Sequence, residues 1–175
     1  MAQSGLAEEK SEDTNAVGDP RMGRQLFYTS CTIYCMTPSE GLPTPPTQSI
    51  VYEDNYLYVC QALQPITRGH LIVVWKRNAR DIHELTDSEY DYLMEMVDIT
   101  RDVLLEILGV EKVYLVYMDE IKQVHWHLIP RYTKKGFEVF TSNEKLEPDF
   151  TNTETLSELF SKRKQLRTLK EPQGN

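Results

Sequence analysis

The chain has 175 residues, 40% of them hydrophobic and 26% charged, the ordinary balance of a soluble globular protein with room for one domain and a real core. Its net charge of −8 argues against sequence-independent binding to nucleic acid polymers but leaves small anionic ligands open. The longest apolar run, Leu71 to Trp75, is far too short to span a bilayer, so no membrane contact is expected.

In chain order, residues 1–25 read as an acidic tail. Glu8, Glu9, Glu12, Asp13 and Asp19 lie among few apolar residues, too few to offset the entropy of ordering. The tail lacks the basic-then-apolar order of a secretory signal, and the three cysteines are an odd number that does not suggest a disulfide framework. A reducing, cytoplasmic compartment is the expectation. Pro38, Pro43, Pro45 and Pro46 make residues 38–49 a loop. Ile50 to Glu53 and Asn55 to Ala62 read as two short strands, a hairpin turning at Asp54 and Asn55. Tyr56 and Tyr58 would share a face with Asp54, in the core or against a base. The run His70 to Lys76 reads as a central strand.

The clearest helix follows. Thr86 and Glu89 have capping-box spacing. Leu93, Val97, Leu104 and Leu108 recur at helical period, and Gly109 supplies the stop. Val113 to Met118 is another strand, and Gln123 to Arg131 the last. Residues 141–175 form a C-terminal extension with a helix from about Thr155 to Lys170. Its apolar positions are Leu156, Leu159, Phe160, Leu166 and Leu169. A solvated face or a partner surface would account for Lys162, Arg163, Lys164, Arg167 and Lys170. The order predicts an α+β fold: a mainly antiparallel sheet of about five strands, one long helix and a C-terminal helix. One long helix cannot cover both faces of such a sheet, so a homodimer is expected. No internal repeat or second domain is evident.

The segment Gln123-Val124-His125-Trp126-His127-Leu128-Ile129-Pro130-Arg131 alternates with period two. On a strand, Gln123, His125 and His127 share one face while Val124, Trp126 and Leu128 anchor the other. The two imidazoles would then stand roughly 6–7 Å apart at Cα, for a rise of about 3.3 Å per residue. A half-exposed strand that happens to carry two histidines would read the same way. A metal-dependent β-barrel also uses His-x-His, but needs a Glu three or four residues on, where this chain has Pro130 and Arg131.

The Gly69-His70 start of an apolar strand, a capped helix and an alternating His-x-His strand ending in Pro-Arg come in an order that resembles the histidine triad (HIT) superfamily. The resemblance covers roughly Cys31 to Tyr132 and makes 26–140 a HIT-like domain. The family pattern is His-φ-His-φ-His-φ-φ, with φ apolar. Here Gln123 replaces the first histidine, while His125 and His127 match the second and third, and His70 the upstream active-site histidine. The resemblance implies a dimer that cleaves or transfers nucleotides at an α-phosphate. His125 would be the nucleophile, in a nucleotidyl-histidine intermediate. His127 and His70 would hydrogen-bond the non-bridging oxygens. A HIT-fold nucleotide-binding or scaffold protein with lost catalysis is the alternative. The expected partner is a nucleotide or dinucleoside polyphosphate, with no cofactor.

Gln123 cannot carry a proton at neutral pH, so leaving groups that need little help are favoured. Ala62, eight residues before His70, stands where many relatives have a ribose-binding Asp or Asn; Gln61 or Gln64 would have to substitute. Arg131 and, in the short link Asp119 to Lys122, Lys122 are further substrate-binding candidates, with Lys134 and Lys135 nearby. Cys31 and Cys35, with three residues between them, sit where some relatives carry a zinc-binding pair. His83 could add a third ligand, but zinc wants four, and two thiols packed as small apolar groups are favoured.

Overall fold

The structure, a computed structural model, describes residues 42, 44–118, 121–141 and 144–169. The tail, Cys31, Cys35, Asp119, Glu120 and Lys170 therefore lie outside the described residues. Five strands, β1 (Ile50–Glu53), β2 (Leu57–Gln61), β3 (Leu71–Trp75), β4 (Lys112–Tyr117) and β5 (His125–Arg131), are joined by two α-helices, α1 (Asp87–Leu108) and α2 (Thr153–Thr168). All pairings are antiparallel, in the order β1-β2-β3-β5-β4. The chain is an α+β domain of the expected kind. No described helix is long and apolar enough to cross a membrane.

Local chemistry explains the boundaries. Asp54 turns the first hairpin, its Oδ1 accepting the N–H groups of Tyr56 and Leu57 at 2.8 and 3.0 Å. This takes Asn55 and Tyr56 out of the expected second strand. At the start of α1 the Thr86 hydroxyl accepts the Glu89 N–H, and the Glu89 carboxylate accepts the Thr86 N–H. That satisfies two donors a helix start leaves open. Gly109 ends the helix at φ +60°, a left-handed conformation that costs glycine little.

Alternation then sorts the strands between two faces. Leu57 and Val59, Leu71, Val73 and Trp75, and Trp126 and Leu128 pack with α1 residues Leu93, Met96, Val97, Val103 and Leu104. Leu156 and Phe160 of α2 join the same core, so both helices lie on one side of the sheet. On the other side, Cys60, Ala62, Ile72 and Val74 form a smaller cluster with Leu42, Ile50, Tyr58 and Ile66.

Three expectations need correction. The basic side chains Arg163, Lys164 and Arg167 of α2 are half-buried and paired within the chain, while Lys162 is exposed as expected of a solvated face. Arg163 meets Glu106 and Asp102, and Arg167 meets Asp98 and Asp102, an acidic row at i, i+4, i+8 on α1. Lys164 sits 4.5 Å from the centre of the Tyr52 ring and donates to the Tyr92 hydroxyl at 3.0 Å. Both phenols donate to Asp54, which clasps α1, α2 and the hairpin together. Leu166 and Leu169 are exposed rather than core, because α2 meets the core only through its first turns. Tyr56, finally, stacks on Trp75 at 5.9 Å while Tyr58 packs on the opposite face, so the two make no pair.

Candidate functional site

β3 and β5 are neighbours, and their register sets Ile72 opposite His127 and Val74 opposite His125. His70, one residue before β3, shares the parity of Ile72 and Val74. All three imidazoles therefore stand on the sheet face away from α1. Ring centroids of His70 and His127 are 5.2 Å apart, and those of His125 and His127 are 4.9 Å apart. Each residue is exposed by 3% or less.

Burial and hydrogen bonds fix the protons. Desolvation lowers the pKa of His70 to about 3. Desolvation first, then its two histidine neighbours, lowers that of His127 to about 2, so both rings are neutral near pH 7. The Ile66 N–H donates to His70 Nδ1 at 3.2 Å, which puts the lone pair there and the ring proton on Nε2. That proton points to His127 Nδ1 at 3.1 Å. The remaining proton of His127 is then on Nε2, as a donor. His125 Nδ1 donates to the Gln123 carbonyl at 2.7 Å, which puts its lone pair on Nε2. The His125 ring thus presents a lone pair on Nε2, and its neighbour His127 presents an N–H on Nε2.

The geometry revises the roles expected of several residues. Both ring nitrogens of His70 are engaged within the protein, by the Ile66 N–H and by His127, which leaves neither free for a further partner. Gln123 lies in a bend before β5. Its amide accepts from the Leu42 N–H at 2.8 Å and donates to the Trp75 carbonyl at 3.0 Å. Gln123 thus anchors backbone on two sides, and its own carbonyl is the fixed acceptor for His125. The sequence draws attention to the side chain of Gln123; the main-chain role follows from the bend and has no sequence signal.

Gln61 faces the helices, is buried, and donates to Thr153 Oγ1 at 2.5 Å; it cannot replace a sugar ligand on the histidine face. Arg131 shares the parity of His127, but lies four residues along the strand, roughly 13 Å away at about 3.3 Å per residue. It is ion-paired with Glu111, so it braces β5 against the start of β4. Gln64 is exposed in the loop after β2, and Lys122 is exposed before β5. His83 is on the surface, paired with Asp81 at 2.7 Å, whose hydrogen bond raises its pKa. Among the described residues no three His, Cys, Asp or Glu are placed to hold an ion; Cys31 and Cys35 of the expected set lie outside them. A cavity of about 220 Å3 lies behind His70, walled by Gln61, Gly69, Leu104, Leu108 and Leu156. Neither His125 nor His127 lines it, so it is not where the imidazoles converge.

A sequence model described as the HIT domain matches residues 45–134, just over half of the chain and all five strands. The chain belongs to the HIT domain family. An uncharacterised HIT-like protein of Methanocaldococcus jannaschii is 29% identical over 110 residues, covering 59% of this chain and 81% of the relative. Among solved structures, a zinc-bound histidine triad family protein from Mycobacterium smegmatis superposes with a TM-score of 0.54 at 19% identity, over 72% of this chain and 90% of that one. A hypothetical histidine triad nucleotide-binding protein from Sulfolobus tokodaii gives 0.51 at 19% identity, over 73% and 89%. These likenesses establish that the histidine face belongs to a HIT fold.

Proposed function

We propose that this HIT protein is a nucleotidyl hydrolase or transferase that cleaves at an α-phosphate through a nucleotidyl-histidine intermediate on His125. The observation that carries the reading is the hydrogen bond from His125 Nδ1 to the Gln123 carbonyl, beside a neutral His127 that keeps an N–H on Nε2. The lone pair on His125 Nε2 attacks phosphorus, the bond to the leaving oxygen breaks, and that oxygen leaves with the electron pair. His127 Nε2–H stabilises charge on a non-bridging oxygen, and Gln123 holds the imidazolium that forms. Water or another acceptor then attacks phosphorus and gives up its proton to solvent, while the P–N bond breaks with its electron pair returning to Nε2, which restores His125.

No proton-bearing side chain stands at position 123, so substrates that release pyrophosphate or a nucleotide, which depart as anions, suit the site. Dinucleoside polyphosphates and nucleotide phosphoramidates are the substrate class; in a phosphoramidate the bond to the leaving nitrogen breaks instead, and the departing amine takes its proton from solvent. The nucleotide-binding name of the Sulfolobus relative points the same way. A second copy and a reducing cytoplasmic setting complete the proposal.

The test is transfer of label from an α-labelled nucleotide, read by mass spectrometry after acid-free quenching. Label on His125, with turnover lowered at least ~10³-fold in His125→Ala, is the expected result. Saturable binding with neither label nor product would instead identify a nucleotide-binding protein without catalysis.

A further inference from the structure

The proton order in the imidazole chain begins outside the histidines, at a backbone N–H in the loop between β2 and β3. Ile66 N–H donates to His70 Nδ1 at 3.2 Å, and the loop turns back so that the His70 N–H donates to the Thr67 carbonyl at 3.2 Å. A loop N–H can set a ring proton only while the loop stays in place. Gly69, at φ +76°, makes the turn into β3, and a Cβ there would come within 2.7 Å of Leu108 Cδ1. On the other side, β3 begins at Leu71, opposite Leu128 of β5. The carbonyl of Pro130, two residues further along β5, lies beyond the β3–β5 ladder. The Thr67 hydroxyl donates to it at 2.9 Å.

We infer that Thr67 is a positioning residue: by tying the β2–β3 loop to Pro130 it holds Ile66 N–H on His70, and so decides which nitrogen of His127 carries the donor proton. The role rests on the proposed reaction for its effect on turnover, but not for its effect on the rings. A loop that slipped away would leave His70 Nδ1 without its donor. Nothing would then prevent the ring from carrying its proton on Nδ1. His70 Nε2 would become an acceptor facing His127 Nδ1, and His127 would move its own proton to Nδ1 to meet it. The donor on His127 Nε2 would be lost without any change in the histidines themselves. Burial keeps both rings neutral near pH 7, so the alternative is a swap of tautomer and not a gain of charge.

The experiment is 15N NMR of the imidazole rings in the full chain at pH 7, in wild type, Thr67→Val, which keeps the shape and loses the hydroxyl, and Thr67→Ser, which restores it. In wild type, His70 and His127 are expected to show the Nε2–H pattern. Thr67→Val is expected to give mixed patterns at both rings, with kcat lowered about ten-fold, the worth of one neutral hydrogen bond, and KM little changed. Thr67→Ser should return both readouts toward wild type. A folded Thr67→Val with the wild-type ring pattern would overturn the proposal. So would a wild-type His70 protonated on Nδ1, whether or not the valine variant folds. The ring spectra need no substrate, so inability to turn over nucleotides would sink the reaction while the spectra still decide the role of Thr67.

Discussion

The two faces of this sheet are made by the same strands, yet they solve opposite problems. Toward the helices, β5 sends Trp126 and Leu128 into a core where Leu128 is wholly buried, and shape and apolar area are what count. Away from the helices the same strand buries His125 and His127, whose polarity burial penalises unless every ring nitrogen has a use. The comparison teaches that the histidine face is held by hydrogen-bond order and the helix face by packing. Neighbouring residues on one strand should therefore fail in different ways.

The sharpest contrast is between His127 and Leu128. His127→Asn keeps an oxygen that can accept from His70 but removes the Nε2–H donor. It should lower kcat about 10²–10³-fold, the loss expected for one oxyanion donor, with a small change in stability. Leu128→Ala should cost about 2–5 kcal/mol of stability while leaving turnover per folded molecule nearly intact. Urea titration and steady-state kinetics on both variants check this; a Leu128→Ala enzyme that is stable but inactive would break the division between faces.

The next effect is on pH dependence, and its sign follows from burial. His70 and His127 have folded pKa values of about 3 and about 2 against an ordinary 6.5. Below pH 6.5 the unfolded chain takes up protons that the folded rings refuse, so stability is full above that pH and falls as pH drops. The slope is up to about 1.4 kcal/mol per pH unit for each ring. Urea midpoints at pH 7 and pH 5, above the usual carboxylate range, should show the loss. It should persist in His83→Ala, because that ring is on the surface. A midpoint flat between pH 7 and pH 5 would show that the buried rings are accessible to protons.

How much of this was legible in the sequence follows the same division. Period-two alternation placed His125 and His127 on one face, and the Thr86–Glu89 box and Gly109 bounded α1, because these signals are local. Parity alone could have set Gln61 aside, since it alternates with Cys60 and Ala62. The bend that takes Gln123 out of β5 is held by Leu42 and Trp75, residues 81 and 48 positions away. No window of sequence carries that. The Thr67 tie to Pro130 spans 63 positions and is hidden for the same reason. The acidic row Asp98, Asp102 and Glu106 was visible as a pattern, as were the arginines of α2; what was missing was that each is the other's partner.

That helix pair gives the smallest effect. The side chains of Arg167 and Asp98 are 35% and 45% exposed, so water and salt screen most of their attraction. Exposed pairs of this kind are worth about 0–1 kcal/mol. Arg167→Met should cost less than about 1 kcal/mol in dilute buffer, and the difference should fade near 1 M salt, where the screening length is about 3 Å. Turnover should not change, because α2 lies on the face opposite the imidazoles. Urea titrations at low and high salt test the first part and kinetics the second. A fall in kcat in this variant would mean that the helix face communicates with the histidine face, and that the two faces are not independent.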